Sequence, residues 1–271
     1  MRSQSPLWQF GISLYRVVIA ATIFGLSINN AAAQETVYLQ TIEEFDRDGK
    51  PVPLAKPNLE LLRYIAKDLN LQFDVKRVPW KRAMDNALAS DIVLMGMSIT
   101  TERKKKFIFS DPINANGNWL ITRCDAKFKF DSLNDLKGKL IGVVLGTSAG
   151  EEFDAQMNTL FKIENDTGAG ISRLQKLMAK RMDALVWYGI TSSYQDMQAQ
   201  INRNYASQKL PNDTDTSQPF CVLPRPISIV SNHFAMRINS DNQRLLERIN
   251  QALQRGRKVG VIPPVRATNL D

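Results

Sequence analysis

A chain of 271 residues with 44% hydrophobic content can bury a substantial core, as one large domain or as two lobes. Its formal charge of +8 is a modest surplus, and its 35 basic residues are spread without an interleaved aromatic stacking motif, which argues against nucleic acid as a partner. Two distant cysteines and the lone His233 lack metal-ligand spacing, so neither a metal nor any other cofactor is expected.

The amino terminus reads as a cleaved secretion signal over 1–33. Arg2 and Arg16 flank an otherwise uncharged leader, residues 17–26 are apolar, and Ala31-Ala32-Ala33 offers a small-residue cleavage site. A spanning helix needs about twenty apolar residues, and no cysteine follows the run to take a lipid anchor. Removing the leader takes away two arginines and no acid, leaving +6 on a mature chain that begins near Gln34. In an exported protein Cys124 and Cys221 form a bridge or remain two buried thiols; the bridge is preferred, although sequence does not show that they meet.

Residues 37–42 read as a first strand, followed by Phe45 and a polar turn at 46–50. Asn58 is placed to cap a helix whose stripe is Leu61, Leu62, Ile65, Ala66 and Leu69. A strand at 72–78 leads to Trp80, where strand gives way to helix; its indole either stacks on a ligand or packs in the core. A strand at 91–95 completes a β-α-β-α-β pattern, which predicts a parallel-rich sheet with helices on both faces.

That strand ends at Gly96, where backbone can approach a ligand closely. Ser98 then offers a hydroxyl, Thr100 can cap a short helix, and Arg103 lies in its first turn. A helix start attracts an anion, and a guanidinium can grip a carboxylate with two parallel bonds. The plainer alternative is a solvated basic run at 103–106. The wording Ser-Ile-Thr-x-Glu-Arg-Lys-Lys-x-x-x-Phe-Ser-Asp-Pro over 98–112 resembles the signature of the family 3 extracellular solute-binding proteins, the polar amino-acid type that serves bacterial ABC importers.

The resemblance extends over about 37–262. Leu136-Lys-Gly-Lys139 and the strand at 140–145 with Gly146-Thr147 match a second family pattern, and Pro79-Trp-Lys-Arg-Ala83 matches the wording of one family branch. It implies a type II-like periplasmic binding fold of two α/β lobes, the first from 34–118 and 235–271, the second from 119–234. Two hinge strands, near 119–122 and 233–238, join them. It also implies an aromatic over the ligand at Phe45, for which core packing is the alternative. Physically, the second pattern is a strand, a glycine turn through Thr147 and Ser148, and a helix bearing Phe153, Met157, Leu160 and Phe161 on one face. The phosphate-loop pattern is absent, so nucleotide binding is not expected.

A helix at 171–180, a strand at 183–187 and a helix carrying Ile190, Tyr194, Met197 and Ile201 follow. A surface loop at 202–219 and short strands at 220–223 and 227–230 come next. Ser240 and Gln243 have capping-box spacing for a last helix that Gly256 can end, and His233 is read as structural.

One position departs from the family. Its amino-acid binders commonly carry, at the end of the 183–187 strand, an Asp that pairs with the ligand's ammonium; here Tyr188 stands there. A phenol accepts a hydrogen bond but brings no charge. The expected function is a monomeric periplasmic receptor that captures a small carboxylate-bearing ligand, an amino acid or a related acid, and hands it to an ABC importer. The expected ligand set is Phe45, Trp80, Gly96, Ser98, Arg103, Thr147, Ser148 and Tyr188, with no catalytic residue. The alternatives are a sensor partner of a membrane receptor and a dehydratase-like enzyme. Glu102, Glu151 and Glu152 are the enzyme's candidate acids, although exposed first-turn carboxylates read more simply.

Overall fold

The computed structural model describes residues 34–46, 48–189, 193–207 and 218–265. The predicted leader, Ile190 and the middle of the predicted surface loop lie outside them. The amino-terminal half runs β1 (Glu35–Ile42), β2 (Glu44–Phe45), α1 (Lys56–Leu69), β3 (Leu71–Val78), α2 (Trp80–Ala89), β4 (Val93–Ser98), α3 (Thr101–Lys104) and β5 (Phe107–Arg123). α1 starts ahead of Asn58, because Pro57 fits its first turn, where a missing N–H leaves no helical bond unmade. β4 begins two residues later than predicted and continues past Gly96 to Ser98.

The carboxyl-terminal half runs β6 (Leu140–Val144), α4 (Glu151–Gln156), β7 (Lys162–Asp166), β8 (Ala169–Gly170), α5 (Ser172–Met178), β9 (Ala184–Gly189) and α6 (Tyr194–Ala206). It ends with β10 (Phe220–Val222), β11 (Ser228–Arg237) and α7 (Ser240–Lys258). Sequence periodicity overextends α4. The helix stops at Gln156, and Phe161 reaches its place through a turn, its ring 4.7 Å from that of Phe153. α7 is capped by Asn239, whose side chain accepts from the Asn242 N–H at 2.7 Å, one residue ahead of the expected Ser240. Gly256 does not end α7. It is buried inside the helix because Ile262 and Tyr64 pack where a side chain would stand.

The main sheet has the order β3-β1-β4-β11-β5-β9-β6-β7, with β10 added on β5. β3, β1 and β4 are parallel and form one wing; β9, β6 and β7 are parallel and form the other. Between them run β5 and β11, antiparallel to each other from Phe107↔Arg237 to Asn118↔Ser228. The sequence suggested a crossing strand only near 119–122, and two strands where β11 is one. β5 instead runs for 17 residues. Pro112 is tolerated because the register shifts beside its partner His233, so its missing N–H falls at an irregularity of the ladder.

Each wing has its own apolar core. Val37, Leu39, Leu62, Ile65, Phe234, Ile249 and Leu253 belong to the first; Trp119, Ile121, Leu174, Leu177, Leu185 and Phe220 belong to one side of the second. Cys124, just past β5, is bridged to Cys221 on β10, closing a loop 97 residues apart in sequence. No helix among the described residues is long and apolar enough to cross a membrane.

The start of α7 is tied down by Asp91, which accepts from Arg237 Nε at 2.8 Å, Asn239 Nδ2 at 2.9 Å and Asn242 Nδ2 at 3.0 Å. The Arg237 bond is the main cause that lowers its pKa to about 2, from 3.8. A carboxyl whose pKa is lower folded than unfolded adds stability above the unfolded value, and that stability is lost as pH falls through the folded one. Stability should therefore decline between about pH 4 and pH 2, and Asp91→Asn should flatten that part of an acid melting series. The effect is small, since the carboxylate is largely exposed. An unchanged slope in the variant would rule this anchor out as its source.

Candidate functional site

The two wings enclose a cavity of about 530 Å³. Trp80 enters it from the start of α2, Gly96 and Ser98 from β4, and Arg103 from α3. Thr147 and Ser148 come from the turn after β6, and Tyr188 from β9. Seven of the eight residues expected at a ligand therefore meet here. Phe45 does not line the cavity. Its backbone pairs with Gly170 in the small β2–β8 ladder, and its ring packs where Gly168 has no side chain. Trp80 is both a core residue, 3% exposed and packed with Val144 and Leu94, and part of the wall.

Arg103 is the central cation. Its Nη1 donates to the Ser98 carbonyl at 2.8 Å and to Ser98 Oγ at 2.7 Å, and its Nη2 donates to the Gly146 carbonyl at 2.9 Å. Those bonds use three of a guanidinium's five N–H donors and leave two for a ligand. They also tie β4 to the turn on the opposite wing. Burial pulls the guanidinium's pKa below its ordinary value, and Asp154 opposes that shift; an arginine nonetheless remains charged.

The start of α3 does not stand open to an anion, contrary to the sequence expectation. The first N–H of α3, on Thr101, donates to the Glu151 carboxylate from the other wing. At α4, Asp154 accepts from the Ala149 N–H at 3.0 Å and from the Ser148 hydroxyl. Burial raises the Asp154 pKa, and those two bonds hold it down. A protein acid thus occupies the start of α3, whereas no side chain caps α4. Thr147 is likewise engaged: its hydroxyl donates to the Val144 carbonyl at 2.6 Å, so the Tyr188 hydroxyl donates to Thr147 Oγ1 at 2.5 Å. Burial pushes the Tyr188 phenol's pKa up, so it stays neutral and retains acceptor capacity on its oxygen.

Of the polar wall residues that sequence reasoning missed, four bear on the ligand reading. Glu44 is the sole acid among the described lining residues, and it pairs with Arg77 at 3.4 Å. Arg173 from α5 and Asn116 from β5 are the others. Arg173 carried a signal. It lies four residues before Leu177, on a face that the periodicity marks as apolar. Glu102, Glu151, Glu152 and His233 are not among the lining residues. His233 Nδ1 faces the Ser110 carbonyl at 2.7 Å inside the sheet, and burial lowers its pKa.

Two features close the cavity between the wings. Gly170 has φ 102, and the Phe45 carbonyl oxygen lies 2.3 Å from where its Cβ would be, so the β2–β8 pairing requires glycine. Gly146, with φ 83, sits against Lys81 and Met84 of α2.

The family described as bacterial extracellular solute-binding proteins, family 3, matches residues 57–264. The arginine-binding extracellular protein ArtP of Bacillus subtilis is 32% identical over 133 residues, 48% of this chain and 51% of that protein, so the match spans about half of that relative. The L-cystine-binding protein TcyJ of Escherichia coli K12 is 25% identical over 228 residues, 82% of this chain and 76% of that protein. Among solved structures, an ancestral arginine-binding protein bound to arginine aligns with a TM-score of 0.63 at 26% identity, covering 84% of this chain and 95% of that one. ArgBP from T. maritima aligns with a TM-score of 0.63 at 23% identity, over 83% and 90%. These neighbours share a two-lobed α/β periplasmic binding protein fold with this chain.

Proposed function

The chain belongs to family 3 of the bacterial extracellular solute-binding proteins, and from that premise we propose that it is a periplasmic receptor for a small carboxylate-bearing solute. The observation that carries this reading is Arg103, a cation in a cavity walled by both wings, with two donors still available. The first lobe comprises 34–118 and 235–271 and the second 119–234, with β5 and β11 as the hinge. The ligand's carboxylate lies on Arg103, Trp80 and Tyr188 flank it, and its contacts to both lobes favour the closed arrangement. A membrane importer then recognises that arrangement; a membrane sensor reading the same form is the other output. No chemical step is part of this function.

Arginine, which two of the relatives are named for, suits this wall poorly. The lining acid Glu44 is already paired with Arg77, and Tyr188 brings no charge to meet an ammonium or a guanidinium. A related acid without a fixed ammonium suits it better.

The test is a melting-temperature screen of refolded, ligand-stripped mature protein against amino acids, dicarboxylates, keto acids and polyamines. A ligand at a hundredfold over its Kd adds about 2.7 kcal/mol, or about 5–10 °C for a chain of this size. An acid lacking the amine should give the largest shift. Micromolar binding of arginine that survives Tyr188→Phe would overturn this choice of ligand.

A further inference from the structure

The cavity holds a second buried cation that the Arg103 grip does not use. Arg173 is 2% exposed; its Nε donates to Asp166 at 2.7 Å and its Nη1 to the Val186 carbonyl at 2.8 Å. Its Nη2 is buried and has no partner. Asp166 is shared with Lys176 Nζ at 2.5 Å, so one carboxylate serves two cations and the cluster keeps a net positive charge. A buried, charged donor left unpaired is costly, and such groups normally have a partner, an arriving one included.

A second buried group on the same wall is also unpaired. Asn116 Oδ1, from β5, has no hydrogen-bond partner. Two residues of the wall thus each carry a buried polar atom without a partner, one a guanidinium donor and one an amide acceptor, beside an acid already paired with Arg77. Arg103 reaches the Gly146 carbonyl, next to the Thr147 that bonds Tyr188, and Arg173 reaches the Val186 carbonyl two residues before Tyr188, so both arginines line the one cavity around the end of β9.

We propose that Arg173 Nη2 receives a second anionic group, so that the ligand is a small di-acid with one carboxylate on Arg103 and the other on Arg173. Asn116 Oδ1 is left to accept from a hydroxyl on the same molecule. This rests on the reading that Arg103 holds a carboxylate.

The experiment is calorimetric titration of the stripped mature protein, disulfide intact, with butyrate, succinate, glutarate and aspartate. Succinate or glutarate should bind about 10- to 100-fold tighter than butyrate. Arg173→Lys, which can still pair with Asp166, should shrink that ratio severalfold toward one, because a lysine lacks the fork. Equal affinities for mono- and di-acids in the unmodified protein would overturn the proposal, and so would a ratio that Arg173→Lys leaves intact. The unmodified ratio decides the matter even if the variant does not fold. Failure of the underlying reading looks different: all four acids would then fail together, or would bind with no response to Arg103→Lys.

Discussion

Arg103→Ala is expected to weaken ligand binding by between about 30-fold and a few thousand-fold, the equivalent of roughly 2–5 kcal/mol for removing one partner of a buried, hydrogen-bonded charge pair. The loss has two sources. The ligand's carboxylate loses its fork, and the wings lose the guanidinium that joins Ser98 to the Gly146 carbonyl. Arg103→Lys should recover little, since an ammonium cannot span both acceptors and a carboxylate in one plane. Titration calorimetry reads the affinity, and far-UV circular dichroism checks that the variant is folded. A folded Arg103→Ala protein with affinity within about threefold of the original would remove Arg103 from the site.

Replacing both cysteines, Cys124→Ser with Cys221→Ser, should cost about 2–5 kcal/mol of stability. The loop they close spans 97 residues and contains nearly all of the second wing, so the bridge restrains a long stretch of the unfolded chain. For a protein of this size the melting temperature should fall by about 5–15 °C, and reduction with dithiothreitol should mimic the double replacement. Neither cysteine lines the cavity, so affinity should stay within about threefold. A melting temperature lowered by less than about 2 °C would show that strand pairing at Cys221↔Thr122 already supplies the restraint.

The fold was legible where its signals are local. Amphipathic stripes marked α1 and α7, and the glycine turn after β6 marked the place of Thr147. The long strands were not legible, because Pro112 and Gly117 look like breakers until a bulge and an antiparallel partner rescue them. The site divides the same way. Ser98, Arg103, Thr147 and Tyr188 sit in short motifs whose wording can be read, and the fold brings those motifs together. Phe45, read as either over a ligand or packed in the core, does not line the cavity, because its neighbour is set by Gly170, more than a hundred residues away, and nothing near Phe45 announces that pairing. Arg173 was missed because its apolar-face signal shows burial but not the Asp166 carboxylate, already claimed by Lys176, that β7 brings to it.

The β2–β8 ladder, the Arg103 bond to Gly146 and the Glu151 bond to Thr101 are clasps between protein groups, and they act with or without a guest. A form they can hold shut occupies some fraction of the free protein, and apparent affinity is the intrinsic affinity scaled by that fraction. Each clasp therefore tunes two opposing properties. Loosening one weakens capture; on the proposed reading, tightening one raises the share of empty protein that stands in the closed form. Gly170 stands at that balance, in the ladder and in the cavity wall alike. Sensitivity and false alarm are thus traded at a position in the wall of the cavity itself.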